Sequence, residues 1–441
     1  MRHHTKFART ALAGALLAGL AALAPAGGAS AYTYKVIYDF CSKRNCLDGT
    51  SPQATVTVGP GGALVGTTTN GASGAGTAFR LSFAQLHDKW RYQRLHAFCK
   101  NGCSDGYASV APLIIDTAGN LYGAASNGGA GCGTIFELSA PIRGQKPQFT
   151  VLYTFAAGAQ CSGGGHVRSR LGYAGQSSGL LYDGTSPLFG TSSNGSSNNG
   201  GGVFMLTPGT PWTYTMLYNF CSQAHCADGQ NPSAGVTLDA SGNIFGVTGI
   251  GGIKNGGTAF ELQSPSWTYK KLYDFCQSTR RCVDGLGPNS EPLFDAAGNL
   301  FGTTAAGGTA HKGCCGTIYK LAPQGAGWSE SVLYNFCSQR NCRDGINPSG
   351  PIMMDAAGSL IGTTSFGGGN NSGESTNGAG TVYRFDGTSL QTLYSFCTQP
   401  QCTDGAIPAG GGLSTDQAGD LFGTTIAGGK VDEGAVFELS P

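Results

Sequence analysis

The sequence lacks the motifs by which many enzymes are recognised. It has no His-Glu-x-x-His, no phosphate-binding loop ending in Gly-Lys-Ser/Thr and no dinucleotide fingerprint in a βαβ setting. Residues 175–179 match Gly-x-Ser-x-Gly, but a nucleophile elbow needs a strand that runs into a helix, and no helical periodicity follows. In a chain with 74 glycines, chance explains this match better. A calcium loop of the Asp-x-Asp-x-Asp type is also missing.

A secretory signal peptide is predicted over residues 1–31. Arg2, Lys6 and Arg9 form its basic start, and residues 11–23 form an uncharged apolar run that is too short to span a bilayer comfortably. The small residues Ala29, Ser30 and Ala31 then offer a cleavage site. The mature domain is therefore expected over residues 32–441.

The mature chain also lacks an excess of positive charge. The 26 basic residues of the whole chain, less the three in the signal peptide, leave 23 against 25 acidic residues. Bulk charge therefore gives no case for binding nucleic acid. No later segment is apolar enough to span a membrane. We expect an exported protein, secreted or periplasmic, that is a monomer.

The sixteen cysteines fit this export, because an even number of cysteines in an exported chain favours disulfides. Metal thiolates are the alternative, but the loops hold three to five residues between cysteines instead of a fixed two. Twelve cysteines form six close pairs, predicted as disulfides: Cys41 with Cys46, Cys99 with Cys103, Cys221 with Cys226, Cys276 with Cys282, Cys337 with Cys342 and Cys397 with Cys402. Pairing of Cys314 with the vicinal Cys315 stays open.

A repeat with a period of about sixty residues organises the whole mature chain. Its signature is Leu-Tyr-x-Phe-Cys, a short loop, a second Cys and Asp-Gly, and one copy is worn. The anchor phenylalanines show seven copies: Phe40, Phe98, Phe155, Phe220, Phe275, Phe336 and Phe396. Glycines recur inside the apolar phrases, which we interpret as close approach of neighbouring sheets: Gly66, Gly190, Gly246, Gly302, Gly362 and Gly423.

Each copy is expected to form four short antiparallel strands. In the fourth copy these are residues 214–220, 235–238, 243–248 and 257–262, with a tight turn at residues 239–243. A four-stranded sheet without helices is the unit of a β-propeller blade, and each blade must stack on its neighbours to bury its faces. The predicted fold is all-β, a seven-bladed β-propeller in one domain.

The positions of the strands within a blade follow from residue size. Residues 235–238 are the smallest and suit the position next to the axis, so the Leu-Tyr-x-Phe strand lies outermost. The first such strand, residues 34–40, would then pair with residues 435–439 and close the ring. One face carries all the cysteine loops and glycine-rich loops, which places Cys132 and Cys161 side by side as partners. The opposite face carries the short Asp-x-x-Gly turns.

The written-out repeat resembles the Gloeo/Verruco tandem repeat of bacterial choice-of-anchor GloVer-containing proteins. The matching phrases are Leu-Tyr-x-Phe, Asp-Gly-x-x-Pro, Asp-x-x-Gly-Asn-Leu-Phe-Gly-Thr-Thr and Gly-Thr-Ile-Phe-Glu-Leu, and residues 284–304 show most of the run. The resemblance implies a secreted or surface-exposed bacterial protein with a propeller-like fold, and it implies no catalytic residues. The family name advertises C-terminal anchors. We see none here, and so expect release or periplasmic residence.

The aspartates of the Asp-Gly pairs are the first candidate ligands. We expect them to form a carboxylate crown around the mouth of the channel: Asp48, Asp105, Asp228, Asp284, Asp344 and Asp404. Oxygen ligands of this kind suit Ca²⁺. The alternative, which we favour, is a turn residue whose carboxylate accepts backbone N–H bonds. The aspartates of the opposite face are interpreted as hairpin residues: Asp116, Asp239, Asp295, Asp355 and Asp416.

The worn third copy is the second candidate site. It lacks Asp-Gly, and its loop offers His166 and Arg168 as polar contacts for a ligand, unless the copy has simply drifted. Basic residues of other cysteine loops could contact anionic glycans on the same face or form a solvated rim: Lys43, Arg44, Arg280, Arg281, Arg340 and Arg343.

The sequence favours a non-enzymatic exported binding or scaffold protein that uses its cystine-stiffened face. The alternative is a carbohydrate-active enzyme, a glycan hydrolase or lyase, with carboxylates at the channel mouth. Catalysis needs an acid and a base in unlike environments, whereas repetition makes these aspartates nearly equivalent. A purely structural envelope protein is a third interpretation. The expected partner is a glycan or a cell-envelope component, and no cofactor is required, with Ca²⁺ left open.

Overall fold

The apolar phrases of the repeat fold as antiparallel strands in the computed structural model of the chain. The structure describes residues 32–441 except 73, 88, 101, 141–144, 157, 159–160, 278–280, 311–312 and 370–377. The predicted signal peptide and Arg280 lie outside the described residues. Residues Tyr32–Pro441 pack as one unit. Within the described part of the chain, no helix is long and apolar enough to cross a membrane.

Seven sheets form a ring of blades, which confirms the predicted propeller. The strands of the first four blades, from the axis outward, are as follows. Blade 1 has Thr57–Val58, Leu64–Thr67, Thr77–Ala84 and Lys89–Ala97; blade 2 has Ile114–Ile115, Leu121–Ala125, Thr134–Leu138 and Phe149–Thr154; blade 3 has Leu188–Ser192, Gly202–Thr207 and Thr213–Asn219; blade 4 has Thr237–Leu238, Ile244–Thr248, Thr258–Gln263 and Thr268–Asp274.

The remaining blades have longer inner strands or inner strands in two parts. Blade 5 has Leu286–Pro288 with Leu293–Phe294, then Leu300–Ala306, Thr317–Gln324 and Gly327–Asn335; blade 6 has Ile346–Met354, Leu360–Phe366, Thr381–Phe385 and Leu390–Ser395; blade 7 has Ala406–Pro408 with Ser414–Thr415, then Leu421–Ala427, Ala435–Ser440 and Thr33–Asp39. Described 3₁₀ turns span Arg44–Cys46, Pro60–Gly62, Gln85–His87, Gln176–Ser178, Ala224–Cys226, Arg340–Cys342 and Pro400–Cys402.

Blade 3, which follows the worn copy of the repeat, is the irregular one. Its inner position is not a regular strand, because Gly172 pairs with Phe189 only through an isolated bridge. Its neighbourhood nevertheless keeps a full apolar core, which includes Leu171, Phe204 and Leu206. The blade therefore retains its place in the ring without the inner ladder of hydrogen bonds.

The ring is closed by strands from both ends of the mature chain, as predicted. Thr33 pairs with Ser440 and Asp39 with Ala435 in an antiparallel ladder that has one irregularity. The ring of Tyr34 stacks on that of Tyr394 in blade 6, with centroids 3.8 Å apart. The hydroxyl of Tyr34 also donates to the backbone carbonyl of Asp404. Closure therefore combines a hydrogen-bond ladder with contacts to the neighbouring blade.

Seven apolar clusters hold the ring together, one between each pair of consecutive blades. The cluster at the closure shows the pattern: Phe40 and Phe422 of blade 7 pack with Val56 and Phe79 of blade 1. All seven anchor phenylalanines are buried, none with more than 2% of its surface exposed. Because each cluster contains side chains from two sheets, the apolar core of every blade is shared with its neighbours.

The glycines inside the second strands have a different role from the predicted one. A Cβ atom at each would lie closer than 3.0 Å to the aromatic ring of the residue that faces it on the third strand of the same blade. Gly246, for example, is paired with Phe260, and the ring lies across the glycine. Each of these glycines therefore leaves room for an aromatic side chain of its own blade. They do not mediate contact between neighbouring sheets.

We expect Gly246→Ala to lower the free energy of unfolding by about 2 kcal/mol, because the added methyl group must displace the Phe260 ring from a packed core. Urea unfolding of the protein measures this. Gly163→Ala is the matched control, since no atom lies within 4 Å of a Cβ built there. Equal effects of the two substitutions would contradict the proposed seating of the ring.

Candidate functional site

The cysteine-loop face is the set of loops that connect each outermost strand to the next blade. All sixteen cysteines are paired. The predicted disulfides are confirmed: Cys41 with Cys46, Cys99 with Cys103, Cys132 with Cys161, Cys221 with Cys226, Cys276 with Cys282, Cys337 with Cys342 and Cys397 with Cys402. The pair left open, Cys314 with Cys315, is a vicinal disulfide. Short covalent loops therefore stiffen one face of the ring.

Two of the close pairs depart from the common loop length. The cysteines of the loop that ends at Cys103 are separated by 4 positions and those of the loop that ends at Cys282 by 6, whereas the other close pairs are separated by 5. The carbonyl of Cys103 still accepts from the Gly106 amide at 3.0 Å, and that of Cys282 from the Gly285 amide at 2.9 Å. The change of length is therefore absorbed between the cysteines, and the Asp-Gly turn that follows keeps its place.

Asp48 shows how the carboxylates of this face are held. Its Oδ2 accepts hydrogen bonds from the Tyr38 hydroxyl at 2.7 Å, the Ser42 amide at 2.9 Å and the Ser42 hydroxyl at 2.8 Å. Its Oδ1 accepts from the Lys43 amide at 3.1 Å. The residue is fully buried. Its oxygens thus serve as acceptors for the loop itself.

The arrangement repeats around the ring. Asp228, Asp344 and Asp404 each accept from a tyrosine hydroxyl, a serine or threonine hydroxyl and two successive amides, at 2.7 to 3.2 Å. Asp284 accepts from Tyr273 and from the Gln277 amide. Burial raises the pKa of the donor Tyr218 to about 12, so this hydroxyl keeps its proton at neutral pH.

Asp105 is the variant of this arrangement in which histidine replaces tyrosine. Nε2 of His96 lies 2.8 Å from Oδ2 of Asp105, and the Lys100 amide donates to Oδ1 at 2.9 Å. Burial lowers the pKa of His96, although the contact with Asp105 opposes that shift. The carboxylate of this loop is therefore also engaged.

These aspartates lie in the seams between blades, not around the channel mouth as expected. Tyr38, which donates to Asp48, belongs to the outermost strand of blade 7 and stacks on Tyr92 of the outermost strand of blade 1, with centroids 5.0 Å apart. Tyr92 in turn donates to the Asp48 carbonyl at 3.0 Å. Among the described residues, no group of three or more His, Cys, Asp or Glu side chains is placed to hold a metal ion.

Blade 5 departs from the seam pattern. Glu330, on the outermost strand, pairs with Leu321 on the third strand. The equivalent residue in blade 4 is Tyr269, which pairs with Leu262. Burial, and then the nearby Asp284, raise the pKa of Glu330 to about 7. A carboxyl group that carries its proton can donate as the tyrosine hydroxyl does, whereas an ionised one cannot.

His166 connects the loop of the worn third copy to blade 2. One ring nitrogen, Nδ1, lies 2.9 Å from the carbonyl oxygen of Ser126, and the other, Nε2, lies 3.4 Å from Sγ of Cys161. Its amide donates to the carbonyl of Cys132 at 2.9 Å. The structure therefore ties His166 to blade 2 and to the disulfide, with neither ring nitrogen directed at open solvent.

Arg168 lies at the mouth of the central channel. The cavity there, of about 50 Å³, is lined by the inner segments of blades 2 to 7, among them Ser233, Asn289 and Gly410. Arg168 is exposed, and it makes no hydrogen bond or ion pair with any residue that the structure describes. Arg168 and His166 thus have different surroundings, although they are two residues apart.

A charged pair that the sequence analysis missed crosses the channel. Nη2 of Arg170 lies 2.7 Å from Oε1 of Glu291, and the Gln176 amide donates to the same oxygen at 2.7 Å. Burial by itself lowers the pKa of Arg170, but the Glu291 carboxylate outweighs it and raises the pKa. About a third of the Arg170 side chain still meets channel solvent. A Cβ at Gly235, in the blade between them, would lie 2.5 Å from Oε2 of Glu291, so a larger residue there would have to displace this carboxylate.

The repeat pattern contains one indication of the pair formed by Arg170 and Glu291. Glu291 stands three residues after the proline of Asp-Gly-x-x-Pro, where other copies have Thr55, Gly235, Pro351 and Gly411. A single charged residue at an otherwise uncharged position next to the axis predicts an unusual partner in the channel.

The exposed charges of the cysteine loops all have one sign. Between the two cysteines of the six close pairs the sequence contains no Asp or Glu, and the aspartate that follows each pair is buried. The described basic residues of these loops are exposed: Lys43, Arg44, Lys100, Arg281, Arg340 and Arg343. The cysteine loops therefore present cations to solvent, while the aspartates that follow their cysteine pairs are turned inward.

We expect Asp228→Ala to lower the free energy of unfolding by about 3 kcal/mol, because it leaves buried donors without their charged acceptor. Addition of Ca²⁺ or EDTA should leave the melting temperature of the unmodified protein unchanged. The exposed turn aspartate Asp386 gives the control, Asp386→Ala, which should cost clearly less. A calcium-dependent rise in melting temperature that Asp228→Ala abolishes would support a metal site instead.

Stability should fall as the pH rises from about 4.5 through about 7, because folded Glu330 binds its proton more tightly than the unfolded chain does. Glu330→Gln and Glu330→Tyr should remove part of this slope. They should raise the free energy of unfolding near pH 8 by on the order of 1 kcal/mol. Urea titrations across this pH range test the prediction, which fails if the variants and the parent have parallel profiles.

Comparison with known proteins agrees with the fold. Residues 176–374 match the family model described as the Gloeobacter/Verrucomicrobia repeat. A copper-bound fungal alcohol oxidase of the AA5 family shares 14% identity over 93% of this chain and 76% of its own, with a TM-score of 0.53. The polysaccharide lyase Uly1 shares 10% identity over 88% and 89%, with a TM-score of 0.48. At 14% identity the likeness to the oxidase shows the fold alone. No curated protein matches the chain.

Proposed function

We propose that this chain, whose residues 176–374 match the model of the Gloeobacter/Verrucomicrobia repeat, is an exported, non-enzymatic binding protein, secreted or periplasmic. Its cysteine-loop face binds an anionic glycan or another anionic polymer of the cell envelope. Eight disulfides support export, because such bonds persist in oxidising compartments.

The single observation that carries this proposal is the separation of charge on the cysteine-loop face. Each aspartate of the repeat is buried beneath its loop, where backbone amides and side-chain donors bind it, whereas Lys43, Arg44, Arg340 and their counterparts point to solvent. A surface with one sign of exposed charge attracts a ligand of the opposite sign and disfavours ligands of its own sign. Repetition around the ring suits a polymer with repeated charges.

The disulfides give this face a second property that binding requires. Each close pair closes a loop of a few residues, and each buried aspartate ties the same loop to the outermost strand. The loops therefore need little ordering when a ligand binds, which reduces the entropic cost of association. A stiff cationic face suits a ligand platform.

The same geometry argues against catalysis by the repeated aspartates. Their hydrogen-bond partners are nearly identical from blade to blade, whereas general acid and base groups need unlike surroundings. Glu291 is the unique carboxylate of the channel and is the observation that favours the alternative, a glycan hydrolase or lyase. Its Oε1 is already engaged by Arg170 and Gln176, each at 2.7 Å.

We expect the protein to bind polygalacturonate, a carboxylated polysaccharide, and not neutral dextran. Raising the salt from about 0.05 to about 0.3 M should weaken binding severalfold, because exposed charges are screened. Arg340→Glu should lower the affinity about three- to tenfold. Lys146→Glu, an exposed lysine on the opposite face, is the control and should leave it unchanged. Biolayer interferometry with immobilised polysaccharide measures all of these affinities.

Two results would overturn the proposal. Binding that is insensitive to salt and to Arg340→Glu would remove the charge argument. Depolymerisation of the polysaccharide that Glu291→Gln abolishes would establish the enzyme in place of the binding protein. A reducing-end assay on the incubated polymer distinguishes these outcomes.

A further inference from the structure

We propose that a cleft on the opposite face binds an arginine side chain carried by an extended segment of a partner polypeptide. The cleft lies between blades 7 and 1, on the side of the Asp-x-x-Gly turns, and has a volume of about 620 Å³. It is separate from the cysteine-loop face, so this inference does not depend on the proposed function.

One wall of the cleft is apolar and uncovered. The hairpin of blade 1 carries Phe83 and Trp90, whose ring centroids are 5.5 Å apart, and Trp90 also contacts Phe422 of blade 7 at 6.2 Å. At the tip of this hairpin Leu86 is 95% exposed, and Phe83 is 43% exposed. A cluster of large apolar side chains in solvent indicates a surface that another molecule covers.

The facing wall carries carboxylates without the amide or guanidinium partner that the turn aspartates of blades 5 and 6 have. In blade 5, Asn299 follows the turn aspartate by four residues and donates its amide to Asp295 at 2.7 Å. In blade 7 the corresponding residue is Asp420, so the turn aspartate Asp416 has a second carboxylate as its neighbour. The turn keeps its backbone bonds to Asp416.

Blade 6 shows what fills the equivalent position. Arg384, on the third strand opposite Ile361, places Nη2 2.7 Å from Oδ2 of the turn aspartate Asp355. In blade 7 that strand position, opposite Phe422, is Glu438. The repeat therefore contains a guanidinium bound to this turn in one blade, and a carboxylate in its place in the blade that faces the cleft.

The charges of the cleft favour a cationic occupant. Three carboxylates, Asp416, Asp420 and Glu438, line it with two cations, Lys35 and Arg91. Burial, and then the like charges of Asp420 and Asp416, raise the pKa of Glu438, while Lys35, its partner in strand register, opposes the shift. A guanidinium group from outside would relieve this repulsion as Arg384 does for Asp355.

The shape of the cleft favours a polypeptide over a free amine. Its volume exceeds that of a single side chain, and the uncovered Leu86 and Phe83 offer apolar contacts to residues that flank the arginine. A guanidinium plane can stack on the Trp90 ring and still donate two parallel hydrogen bonds to a carboxylate, which an ammonium group cannot. The occupant is therefore an arginine with apolar neighbours.

The probe is a blocked pentapeptide, acetyl-Ala-Leu-Arg-Leu-Ala-amide, titrated into the full protein by isothermal calorimetry. We expect it to bind, and the same peptide with citrulline, the neutral isostere of arginine, to bind at least about tenfold more weakly. Glu438→Arg gives blade 7 the arginine that blade 6 has at this strand position. It should weaken binding of the arginine peptide by at least about tenfold.

Two further variants keep the test decisive. Glu137→Arg makes the same change at the equivalent strand position of blade 2, opposite Tyr122, and should leave peptide binding unchanged. Asp420→Asn restores the residue found in blades 2, 4 and 5 and should fold even if Glu438→Arg does not, yet it should weaken binding. Equal binding of the citrulline peptide, no binding of the arginine peptide, or full binding by both cleft variants would overturn the proposal. Spermidine that binds as tightly as the arginine peptide would overturn the polypeptide occupant.

Discussion

A small four-stranded sheet has two faces to bury and no core of its own, and every feature of this protein depends on that constraint. The anchor phenylalanines satisfy it by entering the core shared by consecutive blades, as Phe220 does between blades 3 and 4. Ring closure follows from the same requirement, since blades 7 and 1 would otherwise each expose one face. The ladder between Thr33–Asp39 and Ala435–Ser440 holds the two ends of the ring together where the chain itself makes no link.

The buried aspartates connect this architecture to the surface chemistry. Because Asp48 and its counterparts satisfy amides and hydroxyls inside the loops, their negative charges are withdrawn from the solvent side of the face. The sequence between the paired cysteines of these loops contains cations but no Asp or Glu. A structural device repeated around the ring thus produces a cationic surface as a consequence, and the disulfides hold that surface in shape.

Chemistry specific to one place arises where the repeat departs from its pattern. Blade 3 contributes Arg168 and Arg170 to the channel, and Glu291 of blade 5 crosses it to pair with Arg170. Blade 7 replaces the cation of blade 6 with Glu438 and faces the aromatic hairpin of blade 1. Equivalent blades cannot create such sites, because every group on one blade would be matched on the next.

The sequence predicted the number of blades, the order of strands within them, the closing strand and seven of the eight disulfides, because these follow from periodicity and spacing along the chain. The groups that meet between blades are known only from the folded structure. That structure placed the aspartates in the seams instead of at the axis, joined Arg170 to Glu291, engaged His166 with blade 2 and set Phe83 beside the carboxylates of blade 7. The physical reason is that periodicity gives the order of the strands, whereas the side chains that meet between blades depend on how neighbouring sheets are oriented in the ring.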